Sequence, residues 1–445
     1  MTDQLLETAH LALQLARRQG ATSADTVVVD SRDTSVSVRN GEVENLEQAE
    51  SRDIGIRVFV GQSSAIMSGS VLTADAIERM VERAIAMAKL APPDDYAGLA
   101  DASQFATTFP ALDTASEEII NAEQLKARAI AAEAAALSVA GVSKSNGSGA
   151  SAYEGHSAFA TSNGFARTSR RTSFGNSASV IAGEGTSMER DYDGHGAVYF
   201  ADVDAAEKIG TTAGERAVKR LNPRKLASQT VPVLFDRRIA SSLVGHLLGG
   251  INGASIARGT SFLKNDKGKT IFPTNVTIID DPLRPRSLSS RAHDGEGLPV
   301  QRRALIDHGV LGEWILDLRS SRQLGLQPTG QAGRGLASNP SPTTSNIFME
   351  AGVRSPEDMM RDIGTGFLVT EFIGSSVNMV TGDYSRGASG YWFENGELAY
   401  PVSEVTVAGN LRDMFAKLEP ANDLIFRSST SVPTCYLGEL TIAGR

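Results

Sequence analysis

Period-two alternation running into an Asn-Gly pair is the feature that limits this chain most. Val36 and Val38 alternate with polar residues up to Asn40-Gly41, and Ile54, Ile56, Val58 and Val60 repeat the period beyond it, with Arg57 and Phe59 facing the other way. Successive side chains of a strand point to opposite faces, so the alternation marks strands with one buried side. Asn-Gly suits the two-residue turn whose twist matches paired strands, which predicts an antiparallel hairpin. Residues 27–29 add an apolar strand just before it. Helices flank this unit. Leu5, Leu6, Ala9, Ala12, Leu13 and Ala16 form one amphipathic stripe, and Ile77, Met80, Val81, Ala84, Ile85 and Ala88 form another after Thr73. Ala91-Pro92-Pro93-Asp94-Asp95 stops the second helix, because proline lacks the N–H to continue it and restricts the residue before it.

Further on, an Ala-, Glu- and Lys-rich helix is expected over 116–137 and another over 205–221. Residues 143–190 are rich in Ser, Gly and Thr, yet Phe159, Asn163-Gly164, Phe165 and Val180-Ile181 read as successive strands with tight turns rather than a linker. Asn222-Pro223 is the candidate boundary between an N-terminal domain, 1–222, with a candidate sub-boundary near 91–115, and a C-terminal domain, 223–445. The second half is strand-rich. Val231-Pro232-Val233-Leu234-Phe235 opens it, 304–306 and 310–311 flank His308-Gly309 as a hairpin, 367–373 reads as a strand, and Tyr391-Trp392-Phe393 turns at Asn395-Gly396 into 398–402. No repeated strand–helix alternation appears. The expected class is therefore α+β: a helix and antiparallel-sheet domain followed by a strand-rich domain with a few helices.

A chain of 445 residues, 41% apolar and 21% charged, has ample material for two cores. No stretch reaches the roughly 20 apolar residues needed to span a bilayer, and the first residues do not read as a signal peptide. Cys435 is the single cysteine, which excludes an intrachain disulfide and points to a reducing cytoplasm. The formal net charge of −9 argues against a nucleic-acid binder, which needs a basic face to displace phosphate counterions. One basic stretch stands out: Arg284, Arg286, Arg291, Arg302, Arg303, Arg319 and Arg322. It reads either as a solvated face with local salt bridges or as a patch for a carboxylate-bearing peptide or acidic partner.

The helix expected after Phe235 carries the most telling chemistry. Asp236 can cap it, since its carboxylate accepts bonds from free first-turn N–H groups. Ile239, Ala240, Leu243, Val244, Leu247 and Leu248 form an apolar stripe, and Ser241, Ser242, Gly245 and His246 share the other face. A helical zinc site needs two imidazoles converging on one ion, with a carboxylate nearby as general base. This face supplies one ligand, His246, and the other histidines (His10, His156, His195, His293, His308) have no spaced partner. Read alone, His246 is a satisfied histidine at the edge of a core. Ser242 and His246 are neighbours four apart, but nothing orients the imidazole and no strand–turn–helix elbow exposes the serine, so a Ser–His hydrolase is not expected. Glycine-containing strings at 245–253, 330–335 and 382–390 include no P-loop and no dinucleotide-binding spacing; tight turns or close approach to a bound peptide explain them better. Residues 381–387 read as a polar loop with an internal Asp383–Arg386 pair, and Cys435 as a small buried hydrophobe.

Together these strings resemble the TldD/PmbA family, and within it the PmbA (TldE) branch. The likeness is carried by Ser37-Val38-Arg39-Asn40-Gly41-Glu42-Val43-Glu44-Asn45, Gly245-His246-Leu247-Leu248-Gly249-Gly250, Lys269-Thr270-Ile271-Phe272-Pro273, Ser321-Arg322-Gln323-Leu324-Gly325-Leu326, 381–390 and 392–411. The resemblance implies a cytoplasmic two-subunit zinc metallopeptidase, TldD with PmbA/TldE, acting on unfolded or modified peptides, and it also implies a link to DNA gyrase as a modulator. It further implies that the TldD subunit carries HExxxH on a helix, with a cysteine near its C-terminus completing the site. Here the first-histidine position is Ser241, the glutamate position is Ser242, and only His246 matches. Even with Cys435 as the matching cysteine, the chain is one ligand short of the usual three. The expectation is a chain with no catalytic residue and no bound metal, zinc in a TldD-type partner, and a heterodimer, with homodimerisation also open. His246, Arg258, Thr260, Ser261, Asp383 and Arg386 are the expected substrate- or partner-binding residues. Positions five apart lie about 140° around a regular helix, so the helix is expected to be distorted near Gly245 and Gly249-Gly250. The alternatives are a self-sufficient metallopeptidase using other ligands, and a non-enzymatic modulator of a cytoplasmic target such as gyrase.

Overall fold

The computed structural model describes residues 2–444. Helix α1 (Thr2–Arg18) leads into strands β1 (Ser23–Arg39), β2 (Glu42–Val60) and β3 (Ser63–Gly69), then helix α2 (Ala74–Leu90). The expected hairpin turns at Asn40-Gly41, both at positive φ, with β1 and β2 antiparallel from Ser23↔Phe59 to Arg39↔Glu42. Helix α3 (Ala122–Leu137), strands β4 (Val142–Thr161), β5 (Ala166–Ala182) and β6 (Glu189–Ala197), and helix α4 (Ala206–Lys219) follow. The Ser/Gly/Thr-rich stretch is thus sheet, as its turn residues predict. The helix expected over 116–137 starts later. Asn121 caps α3 and Gln124 closes a reciprocal box, while the Ser116 N–H donates to Thr172 Oγ1 of β5 at 2.9 Å. A strong cap just ahead of the alanine-rich run starts the helix there and leaves residues 116–120 outside it.

The six strands form one antiparallel sheet in the order β3-β2-β1-β4-β5-β6. Helices cover one of its faces. Ala24 and Val28 of β1 join the core under α1 and α2, and Val36 and Val38 join the core under α3. Helices α3 and α4 approach closely because the contact is glycine: a Cβ at Gly210 would lie 2.0 Å from the Ala132 carbonyl oxygen.

In the second half, strand β7 (Gln229–Phe235) leads into helix α5 (Arg237–Gly250). β7 pairs in parallel with the strand Gly366–Val377 and antiparallel with Cys435–Ala443. Asp383–Glu394 and Glu397–Asn410 extend the sheet, and Glu397–Asn410 pairs again with Cys435–Ala443, closing it on itself. The turn at Asn395-Gly396 falls where the sequence predicts, both residues at positive φ. The apolar stripe of α5, Ala240, Leu243, Val244 and Leu247, joins Val233, Phe235, Phe367 and Leu437 in one core. A second, five-stranded sheet contains the expected hairpin, Arg303–Asp307 with Val310–Leu311.

Buried charge joins the halves. Asp25 of β1 is wholly buried. It accepts Arg57 Nε at 2.6 Å and, from the second half, Arg334 Nε at 3.0 Å. Gly55 makes room for that segment, since a Cβ there would sit 2.0 Å from the Leu336 carbonyl oxygen. Members of the basic stretch cross the same boundary: Arg286 pairs with Asp202 at 2.7 Å and Arg319 with Asp94 at 2.7 Å, and Arg322 donates to the Tyr96 and Leu99 carbonyls at 3.1 and 2.7 Å. These arginines form a seam between the halves rather than an open patch. Asp25→Asn removes the charge that both guanidinium groups share, and is expected to lower stability by about 3–5 kcal/mol, read as a fall in the urea unfolding midpoint; an unchanged midpoint would show that the clamp contributes nothing.

Two acids are buried close to this clamp. Glu296 accepts the Leu318 N–H at 2.8 Å. Burial, with help from the Asp294 charge, pushes its carboxyl up to about 8 from a usual 4.5, against the opposing pull of the Leu318 N–H and Arg57. A raised carboxyl pKa means the fold holds a proton that the unfolded chain releases, so this contribution is full below pH 4.5 and lost as pH rises through about 8. Glu296→Gln is therefore expected to flatten the decline of Tm across this window, with the largest gain over the parent chain at its alkaline end; parallel Tm curves would refute this.

The candidate site around helix α5

Asp236 caps α5 as the sequence predicts, its carboxylate accepting the Arg238 N–H at 2.9 Å. The expected distortion is absent: the helix is regular from Arg237 to Gly250, and the Ile251 N–H still reaches the Leu247 carbonyl at 2.9 Å. Glycine permits a break but does not impose one, and here the hydrogen-bond ladder continues through Gly245 and Gly249. At about 100° per residue, Ser241 and His246 consequently face different surroundings.

Ser241 lines a cavity of about 220 Å³ together with Arg216, Arg237, Arg238, Arg427 and Thr430. Arg216 and Arg427 share Asp193, Arg238 pairs with Asp191 at 2.7 Å, and Arg237 donates to the Asp423 carbonyl at 3.4 Å. Hydroxyls are weak metal ligands, the one lining carboxylate, Asp193, is held by Arg216 and Arg427, and the remaining lining charges are guanidinium groups, so this donor set does not fit zinc. Ser242 is engaged within the helix, its Oγ donating to the Ile239 carbonyl at 2.7 Å.

His246 meets Tyr384 edge-on, with ring centroids 5.8 Å apart. Burial lowers its pKa and the positive charge of Arg386 lowers it further, which keeps the imidazole neutral near pH 7. Its Nε2 is buried with no hydrogen-bond partner among the described residues, unlike the satisfied histidine expected at the edge of a core. Burial also raises the Tyr384 phenol, with Arg386 opposing. The expected Asp383–Arg386 pair does not form. Both residues stand on the strand Asp383–Glu394 and, three apart, project to opposite faces. Asp383 accepts from Thr381 Oγ1 at 2.6 Å and Asn410 Nδ2 at 3.2 Å. Arg386 donates to the Gly374 carbonyl at 3.0 Å and lies 4.2 Å over the Phe372 ring.

Arg258 is exposed at the end of the short helix Gly253–Ala257, and Thr260, also exposed, donates to the Ser255 carbonyl at 3.3 Å. Ser261 is buried; its Oγ donates to the Gly250 carbonyl and accepts the Leu263 N–H, so it has no open side for a ligand. The Phe262 N–H donates to the Met379 carbonyl at 2.8 Å, which brings this turn to the hairpin carrying Tyr384 and Arg386. His246, the 258–261 turn and the start of the 383–394 strand thus gather around the C-terminal part of α5, and Ser241 does not join them.

Cys435 is elsewhere. It pairs in register with Phe235 at the foot of α5, and its Sγ, buried, lies 3.2 Å from the Pro433 carbonyl oxygen and 3.9 Å from Met349 Sδ. His246 stands nine residues up the helix from Arg237, about 13 Å of rise. Burial pushes the thiol well above its ordinary pKa, which disfavours the thiolate a metal needs. Among the described residues no group of three or more His, Cys, Asp or Glu is placed to hold a metal ion. Tyr384 and the arginine-ringed cavity escape a sequence reading because their parts come from segments far apart in the chain.

Three family models match the chain: PmbA/TldA metallopeptidase domain 1 over 24–88, the central domain over 115–221 and the C-terminal domain over 228–444. The chain is 37% identical to Metalloprotease PmbA of Escherichia coli O157:H7 over 443 residues, covering 99% of this chain and 96% of that protein. It is 27% identical over 210 residues to a Metalloprotease TldD homolog of Buchnera aphidicola, covering 46% of this chain and 44% of that one. Its fold matches the crystal structure of a candidate modulator of DNA gyrase from Bacteroides thetaiotaomicron with a TM-score of 0.93 at 26% identity, over the full length of both chains. This chain belongs to the PmbA/TldD family, in its PmbA/TldE branch.

Proposed function

We propose that this chain is the non-catalytic subunit of a cytoplasmic two-subunit zinc peptidase, pairing with a TldD-type chain that holds the metal and cleaves unfolded or modified peptides. The observation that carries this reading is the donor set on α5: serines at 241 and 242, four arginines around the first, and a neutral His246 turned to Tyr384. A regular helix with these groups suits a wall, not a metal centre. Likeness to a TldD homolog over part of the chain supports pairing between related folds, because a surface that fits its own fold class fits a relative by the same symmetry. In this reading the C-terminal part of α5 faces the partner's cleft. Arg258 and Arg386 supply guanidinium donors and His246 and Thr260 supply shorter polar contacts, while Asp383, on the opposite face of its strand, holds the turn through Thr381 and Asn410, and Ile373 and Val380, 64% and 56% exposed, supply apolar area nearby.

The decisive assay measures cleavage of an unstructured peptide by this chain, by a purified TldD-type chain and by their mixture. Cleavage in the mixture alone, abolished by a chelator, is the expected result, and chelator-sensitive cleavage by this chain alone would overturn the reading. Arg258→Ala combined with Arg386→Ala is expected to cut the mixture's activity by about tenfold, as losing two interfacial charges does; full activity with an intact complex would remove these residues from the wall. Restoring the motif tests the cavity separately. Ser241→His with Ser242→Glu is expected to retain no stoichiometric zinc after dialysis, because the four guanidinium groups remain, and one equivalent of retained zinc would refute that account.

Likeness to the candidate DNA gyrase modulator of Bacteroides thetaiotaomicron supports a second reading, in which this chain modulates gyrase and cleaves no peptide. It predicts stable association with gyrase and no contribution to peptide cleavage in the same mixture.

A further inference from the structure

Strand β2 is 19 residues long, but its outer neighbour β3 pairs only with Ile54–Val60. Residues 42–53 are therefore a free sheet edge among the described residues, and 42–52 are exposed without interruption. The edge is held in place from the turn. The Asn40 and Gly41 N–H groups donate to the buried Glu133 carboxylate at 2.9 and 2.7 Å, and Ser145 Oγ donates to the same carboxylate. Along such an edge every second residue turns its N–H and C=O outward, ready to pair with another strand.

The side chains choose what can pair. Glu42, Glu44, Glu47, Glu50 and Asp53 stand against Arg52 alone. Glu44 and Glu50 pair with Arg39 and Arg32 of β1, and Arg52 pairs with Asp30. Glu42, Glu47 and Asp53 have no ion pair among the described residues. Val43 and Leu46 are 39% and 48% exposed on the same strand. Beside the edge, on the sheet face that the helices leave open, lies a shallow groove of about 460 Å³ bordered by Asn45 and floored by Ser35, Ser37, Gly149, Ser151 and Gly175.

We propose that residues 42–53 are a docking strand for an extended cationic peptide. The peptide adds to the sheet as a further strand through backbone hydrogen bonds with β2, and the Lys or Arg side chains that it turns to the open face meet Glu42, Glu47 and Asp53, which share that face with the Ser/Gly groove. Charge disfavours a second copy of this chain, since pairing two such edges brings the unpaired Glu42, Glu47 and Asp53 of one against those of the other. The inference uses neither α5 nor a partner subunit, so it stands or falls apart from the peptidase reading.

The test titrates the full-length chain into a fluorescein-labelled decapeptide of alternating Lys and Thr, followed by anisotropy. Saturable one-to-one binding is expected, weakened by salt. Glu47→Lys with Asp53→Lys is expected to weaken it about tenfold, the scale of two exposed charge reversals. Methylating alternate peptide amide nitrogens removes the donors a strand needs and is expected to abolish binding. Binding that survives methylation or ignores the charge reversal overturns the proposal. So does a complete lack of binding, which would mean that the carboxylates only keep the edge from pairing, and so does a dimer of this chain that Leu46→Pro dissolves.

Discussion

Asp25 sets the relation between the two halves of the molecule, because one buried carboxylate serves two arginines that come from different halves. Taking charges out of water is costly, and the cost is offset only when the geometry keeps every partner in place. The halves therefore cannot shift past one another without stranding a charge. The close approach of Leu336 to Gly55 and the ion pairs of Arg286 and Arg319 enforce the same placement at the rim. The cavity at Ser241 depends on it, for Arg216 and Asp193 belong to the first half and Arg237, Arg238 and Arg427 to the second.

That placement gives α5 two unlike sides. One side looks into a nest of guanidinium groups pinned by Asp191 and Asp193. The other presents an imidazole beside a phenol and an arginine, in surroundings that disfavour a second positive charge. A helix that serves a metal must bring its ligands to one point. This one is unbroken and turns its two motif positions toward different surroundings.

Local signals made much of this legible in the sequence. Asn40-Gly41 and Asn395-Gly396 define their hairpins through left-handed residues, and Asp236 and Thr73 start their helices through side-chain caps. Signals that compete locally were harder to read. Residues 116–120 were expected to be helical, but the cap at Asn121 and the bond from Ser116 to β5 decided otherwise. The polar density of 381–387 suggested a loop, although the stretch enters a strand whose alternation separates Asp383 from Arg386. Long-range pairings leave no local mark. The closure of the sheet built around Gln229–Phe235, the joining of the basic stretch to Asp94 and Asp202, and the meeting of His246 with Tyr384 each depend on residues far apart in the chain.

The open face of the first sheet has a consequence of its own. Where Ser35, Ser37, Gly149, Ser151 and Gly175 line the groove, the side chains are too short to cover the backbone and carry almost no hydrocarbon. Hydrophobic adhesion scales with apolar area, at about 25 cal/mol per Å², and finds little here to act on. The peptide groups of β1, β4 and β5 beneath the groove are already paired with one another, so this part of the face has few free hydrogen-bonding groups as well. Any strong hold on a ligand along this part of the sheet would have to come from the edge of β2 rather than from its face.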